Sequence, residues 1–446
     1  MKQTNILINL RPATLLAGLL LLLPVARSLA DSTQYLYVSD LRSGLWKVST
    51  ADGSASFINA AGGGIGMTSD PDGNVYLAQP SGRIMKIDPD NNMTTHLSGL
   101  NSNPVYASGS AGWTASAPFG LTRDLFGNFY YTAYFLNDET GKSKDHNPKY
   151  FGGSFKIAPD NTITAWDNPL PYPYFMTSDQ IGNIYLDGFG SGGILWQYDQ
   201  SGAGSKTVRG TQRSCHGFTL DSQGNIYASC ISYYGWVDSK NPSKVQSPNA
   251  LWEIPVGGTE AILLDPTGFL GHPGAPVMDA AGNLYVADDH FNSLDPGSQQ
   301  AGVIYKYSPP KDGGQWTKKV LVSGPELYDT ISKQTKSFIQ PFYMVITPAI
   351  PLPGQPTHVT QTSLSSTSAS ISWTPPSGTA NVNGYHVFRA TNADGPYSCL
   401  NLLALATRTT FTDVKRAAGT AYYYKVAAVN SAGTGDASND SQLTKK

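Results

Sequence analysis

Charge is scarce in this chain of 446 residues: Asp, Glu, Lys and Arg make up 14% of it, and the formal net charge is -2. A chain this close to neutral offers no dense cationic face, which removes the electrostatic case for nucleic acid or an anionic membrane as partner. Cysteine is scarcer, with three residues, so at most one disulfide can form within the chain. No G-x-S-x-G elbow occurs, and serine–histidine hydrolysis has no signal. The long apolar run, Leu15 to Leu23, is too short to span a bilayer comfortably. It follows Lys2 and Arg11 and precedes Ser28-Leu-Ala30, small residues of the kind a signal peptidase reads. Residues 1–30 therefore read as a signal peptide, and the expected location is secreted or periplasmic without stable membrane insertion.

Glycine (46 residues) and tyrosine (25) are abundant, as in a turn-rich β protein. One phrase, D-x-x-G-N followed by a hydrophobic residue and Tyr, occurs in five copies, at Asp70–Tyr76, Asp124–Tyr130, Asp179–Tyr185, Asp221–Tyr227 and Asp279–Tyr285. Gly-Asn suits a tight hairpin by supplying positive φ, and the Asp can bond the turn backbone. A short apolar stretch precedes each turn, and three alternating stretches follow it, such as Val75-Tyr-Leu-Ala78, Arg83-Ile-Met-Lys-Ile87 and Met93-Thr-Thr-His-Leu97. Four antiparallel strands per repeat make a propeller blade.

The sixth unit is split. Leu36-Tyr-Val-Ser39 and Leu45-Trp-Lys-Val48 lack a first strand, and Pro341-Phe-Tyr-Met-Val-Ile346 is a first strand without followers. Joining them closes a six-bladed ring and removes the sheet edges. Trp46, Trp196 and Trp252 recur at one third-strand position and are expected to pack between blades.

On these motifs residues 31–348 resemble the six-bladed NHL-repeat propellers and their gluconolactonase-like, peptidyl-hydroxyglycine lyase and streptogramin lyase relatives. After Pro348-Ala-Ile-Pro351-Leu-Pro353-Gly-Gln-Pro356, a Pro-rich linker placed at 349–356, come strands with sandwich spacing. Residues 357–446 resemble a fibronectin type III domain, with Trp373 as its core tryptophan and Tyr422 as the tyrosine-corner residue. The expected fold class is all-β, a propeller with split-blade closure followed by that sandwich, whose expected role is spacing or surface attachment.

Within the ring, Cys215 and Cys230 fall opposite each other about their hairpin, and a bridge there would stabilise by roughly 3 kcal/mol. Two free core thiols are the alternative, and Cys399 is left over. The turn face is short and uniform, whereas the irregular length, 98–117, 134–152, 231–249, 288–301 and 323–340, lies on the other face and marks the candidate site. Counting back from each turn Asp brings Ile65, Phe119, Tyr174, His216 and Gly274 to one position, with Phe342 as the sixth. Pointing at the channel mouth, Phe119, Tyr174, His216 and Phe342 suit a ligand that stacks, and packed together they plug the channel.

The ligand class this implies is a carbohydrate, cell-surface polymer or small aromatic molecule, with no cofactor. A propeller lyase or hydrolase acting at the same funnel is the alternative, so the sequence leaves open whether the protein is an enzyme. In that reading His216 or His272 is the base, and a zinc or calcium ion is the cofactor. The zinc version draws on His216, His272 and His290, with Asp288-Asp-His290 supplying nearby carboxylates. The gluconolactonase-like cation site needs Glu, Asn and Asp on the inner strands, and none stands at the ring positions, which disfavours a lactonase.

Overall fold

The computed structural model describes residues 34–60, 64, 66–100, 113–137, 151–166, 173–188, 195–202, 206–208, 214–231, 249–257, 261–265, 270–289, 302–310, 314–348, 350–378 and 381–439. The signal-peptide region, Ile65 and His290 lie outside these residues. No helix among them is long and apolar enough to cross a membrane.

Five of the sheets are four-stranded antiparallel blades in chain order, beginning at Gly66–Ser69 (blade 1), Trp113–Arg123 (blade 2), Pro173–Ser178 (blade 3), Ser214–Leu220 (blade 4) and Val277–Met278 (blade 5). Blade 6 is the split one. Its innermost strand, Pro341–Ile346, pairs with Tyr35–Asp40, which pairs with Gly44–Ser49 and that with Ala55–Asn59.

Successive blades share one hydrophobic core each, and six such cores close the ring. Tyr37 of blade 6 packs with Val75 of blade 1, Tyr76 with Leu121 of blade 2, and Tyr130 with Met176 of blade 3. Tyr185 packs with Phe218 of blade 4, Tyr227 with Leu284 of blade 5, and Tyr285 with Leu36 of blade 6. The ring of the repeat tyrosine thus fills the seam to the next blade. Trp46 is fully buried in the seam between blades 5 and 6, while Trp196 and Trp252 are partly buried against their cores.

The tyrosine hydroxyl explains the rest of the motif. In blade 2, Asp124 Oδ1 accepts from Asn128 N at 2.9 Å, and Oδ2 accepts from Asn128 Nδ2 at 2.8 Å and Tyr130 Oη at 3.0 Å. The other four copies repeat the arrangement. Positive φ falls on the Gly alone, as at Gly127 (85°), so Asn serves through its amide and not through its backbone.

Segment 323–340 is not an open loop of the site face. Glu326–Asp329 and Gln334–Ser337 form a hairpin that adds two outer strands to the blade 6 sheet. Residues 113–117 and 134–137 are likewise strand, extending the first hairpin of blade 2 to the pair Trp113 and Asn137.

The C-terminal sandwich has a three-stranded sheet (Thr357–Ser365, Ser368–Thr374, Thr410–Asp413) facing a four-stranded one built on Gly384–Ala390 and Tyr423–Asn430. Trp373 lies in its core, and Tyr422 Oη accepts from Ala417 N at 3.2 Å, the tyrosine-corner bond. It is docked on the propeller. Phe126, at the tip of the second repeat turn, stacks on Tyr397 (5.2 Å) and meets Phe388 edge-on (5.5 Å), within a cluster that also holds Leu125, Ile181 and Ala437. Arg123 grips Asp436 with both terminal nitrogens at 2.7 and 2.6 Å, and Gln200 Oε1 accepts from Tyr397 N. The turn face is therefore not uniform. Two of its turns, Asp-Leu-Phe-Gly-Asn and Asp-Gln-Ile-Gly-Asn, carry the apolar tips that hold the sandwich.

Candidate functional site

The ring residues owe their direction to irregular pairing. In blade 4, Cys215 is opposite Cys230 and Gly217 is opposite Ser229, which leaves His216 as the extra residue of a β-bulge. Phe342 is the extra residue between Tyr343 and Pro341 in blade 6. Tyr174 and Phe175 face the single residue Asp187 in blade 3, and Phe119 and Gly120 face Thr132 in blade 2. Bulges on innermost strands re-aim side chains, and here four of them bring the predicted residues together at the axis. Glycine permits the crowding: a Cβ on Gly274 would collide with the Phe342 carbonyl.

The side chains form a continuous aromatic chain. Ring centroids are 5.8 Å apart for Phe119 and Tyr174, 5.9 Å for Tyr174 and His216, 5.2 Å for His216 and Phe342, and 4.7 Å for His216 and His272. Tyr343 Oη donates to Tyr174 Oη at 2.9 Å, adding a residue that counting along the strands did not single out. Accessibility divides the group. His216, Phe342 and Tyr343 are buried, whereas Phe119, Tyr174 and His272 are partly exposed. Plug and platform are thus two layers of one cluster. Tyr174 remains enclosed enough that burial pushes its hydroxyl up to about 12.

The two histidines differ in kind. His216 Nδ1 donates to the Pro273 carbonyl at 3.0 Å, and burial, with His272 adding to it, depresses its pKa to about 3. It is neutral across ordinary pH and a weak base. Below the free-imidazole value of 6.5 the unfolded chain takes up a proton that folded His216 refuses until about 3, so stability falls as pH falls through that window. We expect His216→Gln to remove about 1.4 kcal/mol per pH unit of that acid sensitivity, read as the difference between variant and wild-type urea titrations at pH 4, 5 and 7.

His272 has the arrangement of a working base. Its Nδ1 donates to Asp289 Oδ1 at 3.1 Å, and Asp289 Oδ2 accepts from Gln340 Nε2 at 3.1 Å. Asp288, fully buried, accepts from Gly271 N and His272 N at 2.8 Å each and so fixes the backbone that carries the ring. Gln340 is placed by Asp40, whose Oδ2 accepts from its backbone N at 2.9 Å. An Nδ1-bonded carboxylate leaves Nε2 as the basic atom. The Asp288-Asp289 pair was visible beside His290, while Gln340 arrives only through ring closure.

Cys215 and Cys230 are joined as a disulfide beside His216, and Cys399 is a half-buried thiol near His386 Nδ1 (3.5 Å). Among the described residues no three His, Cys, Asp or Glu side chains converge to hold a metal ion, and the His290 that the zinc reading requires lies outside them.

Two layers of identity follow. The chain is a six-bladed propeller carrying a sandwich, on its own sheets and seams. Residues 354–444 match the family model for the Fibronectin type III domain and belong to that family. That region is 32% identical to a Fn3-like protein from Clostridium thermocellum, covering 20% of this chain and 90% of that one, with a TM-score of 0.18. The propeller is similar to a streptogramin B lyase (13% identity, 70% of this chain and 96% of that one, TM-score 0.36). It is also similar to a gluconolactonase from Xanthomonas campestris (12% identity, 58% and 84%, TM-score 0.38). No curated protein sequence matches the chain.

Proposed function

We propose that the protein is exported and binds a small aromatic or sugar-like ligand, free or as the end of a cell-surface polymer, at the axis of its propeller. The observation that supports this is the partly exposed layer of Phe119, Tyr174 and His272, set on a buried floor of His216, Phe342 and Tyr343. Planar faces supply stacking, and His272 Nε2 accepts a hydrogen bond from the ligand. Binding needs no metal in this reading.

A second reading, an enzyme of the lyase or hydrolase type at the same place, is favoured by the His272, Asp289 and Gln340 chain. There His272 Nε2 removes a proton and Asp289 stabilises the imidazolium that forms.

The test is a calorimetric screen of glycans and aromatic compounds against the mature protein, with and without a chelator. Tyr174→Ala and Phe119→Ala are each expected to weaken the best ligand by about 1–3 kcal/mol, with Asp72→Ala on the opposite face as the unchanged control. Aromatic variants that lose thermal stability and keep full affinity would refute the site. Turnover that disappears in His272→Ala while binding persists would select the enzyme.

A further inference from the structure

In blades 2, 4 and 6 the residue two positions after the second-strand tyrosine (Tyr130, Tyr227 and Tyr37) carries a hydroxyl that does a common job, whereas blades 1 and 5 have Ala78 and Ala287 there. Thr132 Oγ1 accepts from Gly120 N in its own blade at 2.7 Å and donates to the Tyr174 carbonyl of the next at 3.0 Å. Ser229 Oγ donates to the Gly274 carbonyl at 2.6 Å, and Ser39 Oγ to that of Gly64 at 2.7 Å, each reaching the segment just before the inner strand of the following blade. A hydroxyl suits the task because it accepts on one side and donates on the other.

Blade 3 has Asp187 at this position, 2% exposed. Its Oδ1 accepts from Phe175 N at 2.8 Å, as Thr132 does from Gly120, while Oδ2 is buried without any hydrogen-bond partner. Among the described residues no cation answers it. The titratable groups on the strands around it are Tyr174 of the inner strand, Tyr185 of its own, Tyr198 of the third and His216 of blade 4, with Arg123 of blade 2 committed to Asp436. An ionised carboxylate with one hydrogen bond is costly to bury, and the acid form is the cheaper occupant.

We propose that Asp187 is a neutral carboxylic acid that braces the site, accepting from the bulge that carries Tyr174 and directing its Oδ2 proton toward the blade 4 strand that carries His216. It takes the place of the hydroxyl used in blades 2, 4 and 6 and is a positioning residue for the site, independent of which ligand the funnel takes. Burial raises its pKa from 3.8 to about 8, in keeping with this. Between those values the unfolded chain has lost the proton and the folded chain keeps it, so stability falls as pH rises.

The decisive experiment compares melting temperatures of wild type, Asp187→Asn and Asp187→Thr from pH 4 to pH 9, with infrared spectra of wild type and Asp187→Asn at pH 6. Asn keeps the acceptor and supplies a permanent donor, and Thr copies blade 2. The wild type is expected to melt with the Asn variant near pH 4 and progressively below it up to about pH 8, beyond which the gap is constant. A protonated-carboxyl band should be present in wild type and lost in the Asn variant. Absence of that band, or an Asn variant less stable than wild type at pH 8, would overturn the proposal. Both readouts need no ligand, so they stand apart from the outcome of the binding screen.

Discussion

A chain ended at Gln340 is expected to lose the folded ring, whereas one ended at Pro353 keeps it. The segment Pro341–Ile346 pairs with residues 36–40 along its length. Removing it strips the inner strand from blade 6, leaving an unpaired edge, and takes Met344 from the seam between blades 5 and 6. Phe342 and Tyr343 leave the floor of the site at the same time. An open ring with that unpaired edge aggregates, because edges recruit other chains. Soluble yield and far-ultraviolet circular dichroism of the two truncations check this, and equal solubility and melting would show that the split blade does not close the ring. The longer truncation is expected to be folded yet less soluble than the full chain, since it bares Leu125, Phe126 and Ile181.

The ring was readable in advance because its evidence is periodic. Asp, Gly, Asn and Tyr recur with fixed offsets, and that spacing survives whatever the loops do. Counting from the turn Asp also located Phe119, Tyr174 and His216, since the innermost strands of blades 2, 3 and 4 are bulged at the same distance from their turns, and Phe342 followed as the residue of the closing strand. Other parts of the site needed three dimensions. Asp289 meets Gln340 across 51 positions only because the last strand returns to pair with Tyr35–Asp40 in blade 6. Whether His216 or His272 is the base could not be decided from sequence, because burial separates them: Pro273 and the aromatic floor enclose one, and the other stays partly open beside a carboxylate. The role of Asn in the repeat was misjudged for a local reason. Asn tolerates positive φ, but its amide was the needed part, closing on the Asp that also receives the tyrosine hydroxyl.

The sandwich is docked on the propeller and not joined to it by the Pro-rich linker alone. The clue was in the sequence: the central turn residues are Pro-Asp, Ser-Gln and Ala-Ala in three repeats, but Leu-Phe and Gln-Ile in the two that hold the sandwich. Apolar tips on exposed turns call for a cover, and the sheet carrying Phe388 and Tyr397 supplies it. The docking also depends on the paired Arg123 and Asp436, both largely buried, and removing one partner leaves the other charge enclosed and unanswered. We expect Arg123→Ala to weaken the interface by about 3 kcal/mol, and Phe126→Ala by a similar amount through loss of a central aromatic contact, about 2–4 kcal/mol. Wild type should therefore melt in one transition and resist proteolysis between residues 349 and 356. The double variant should melt in two and be cut there. Arg123→Ala combined with Asp436→Ala should recover part of the loss, because no charge is then left enclosed. A double variant with the wild-type single transition and unchanged resistance would mean that these contacts do not hold the domains together, and the sandwich would revert to a tethered module.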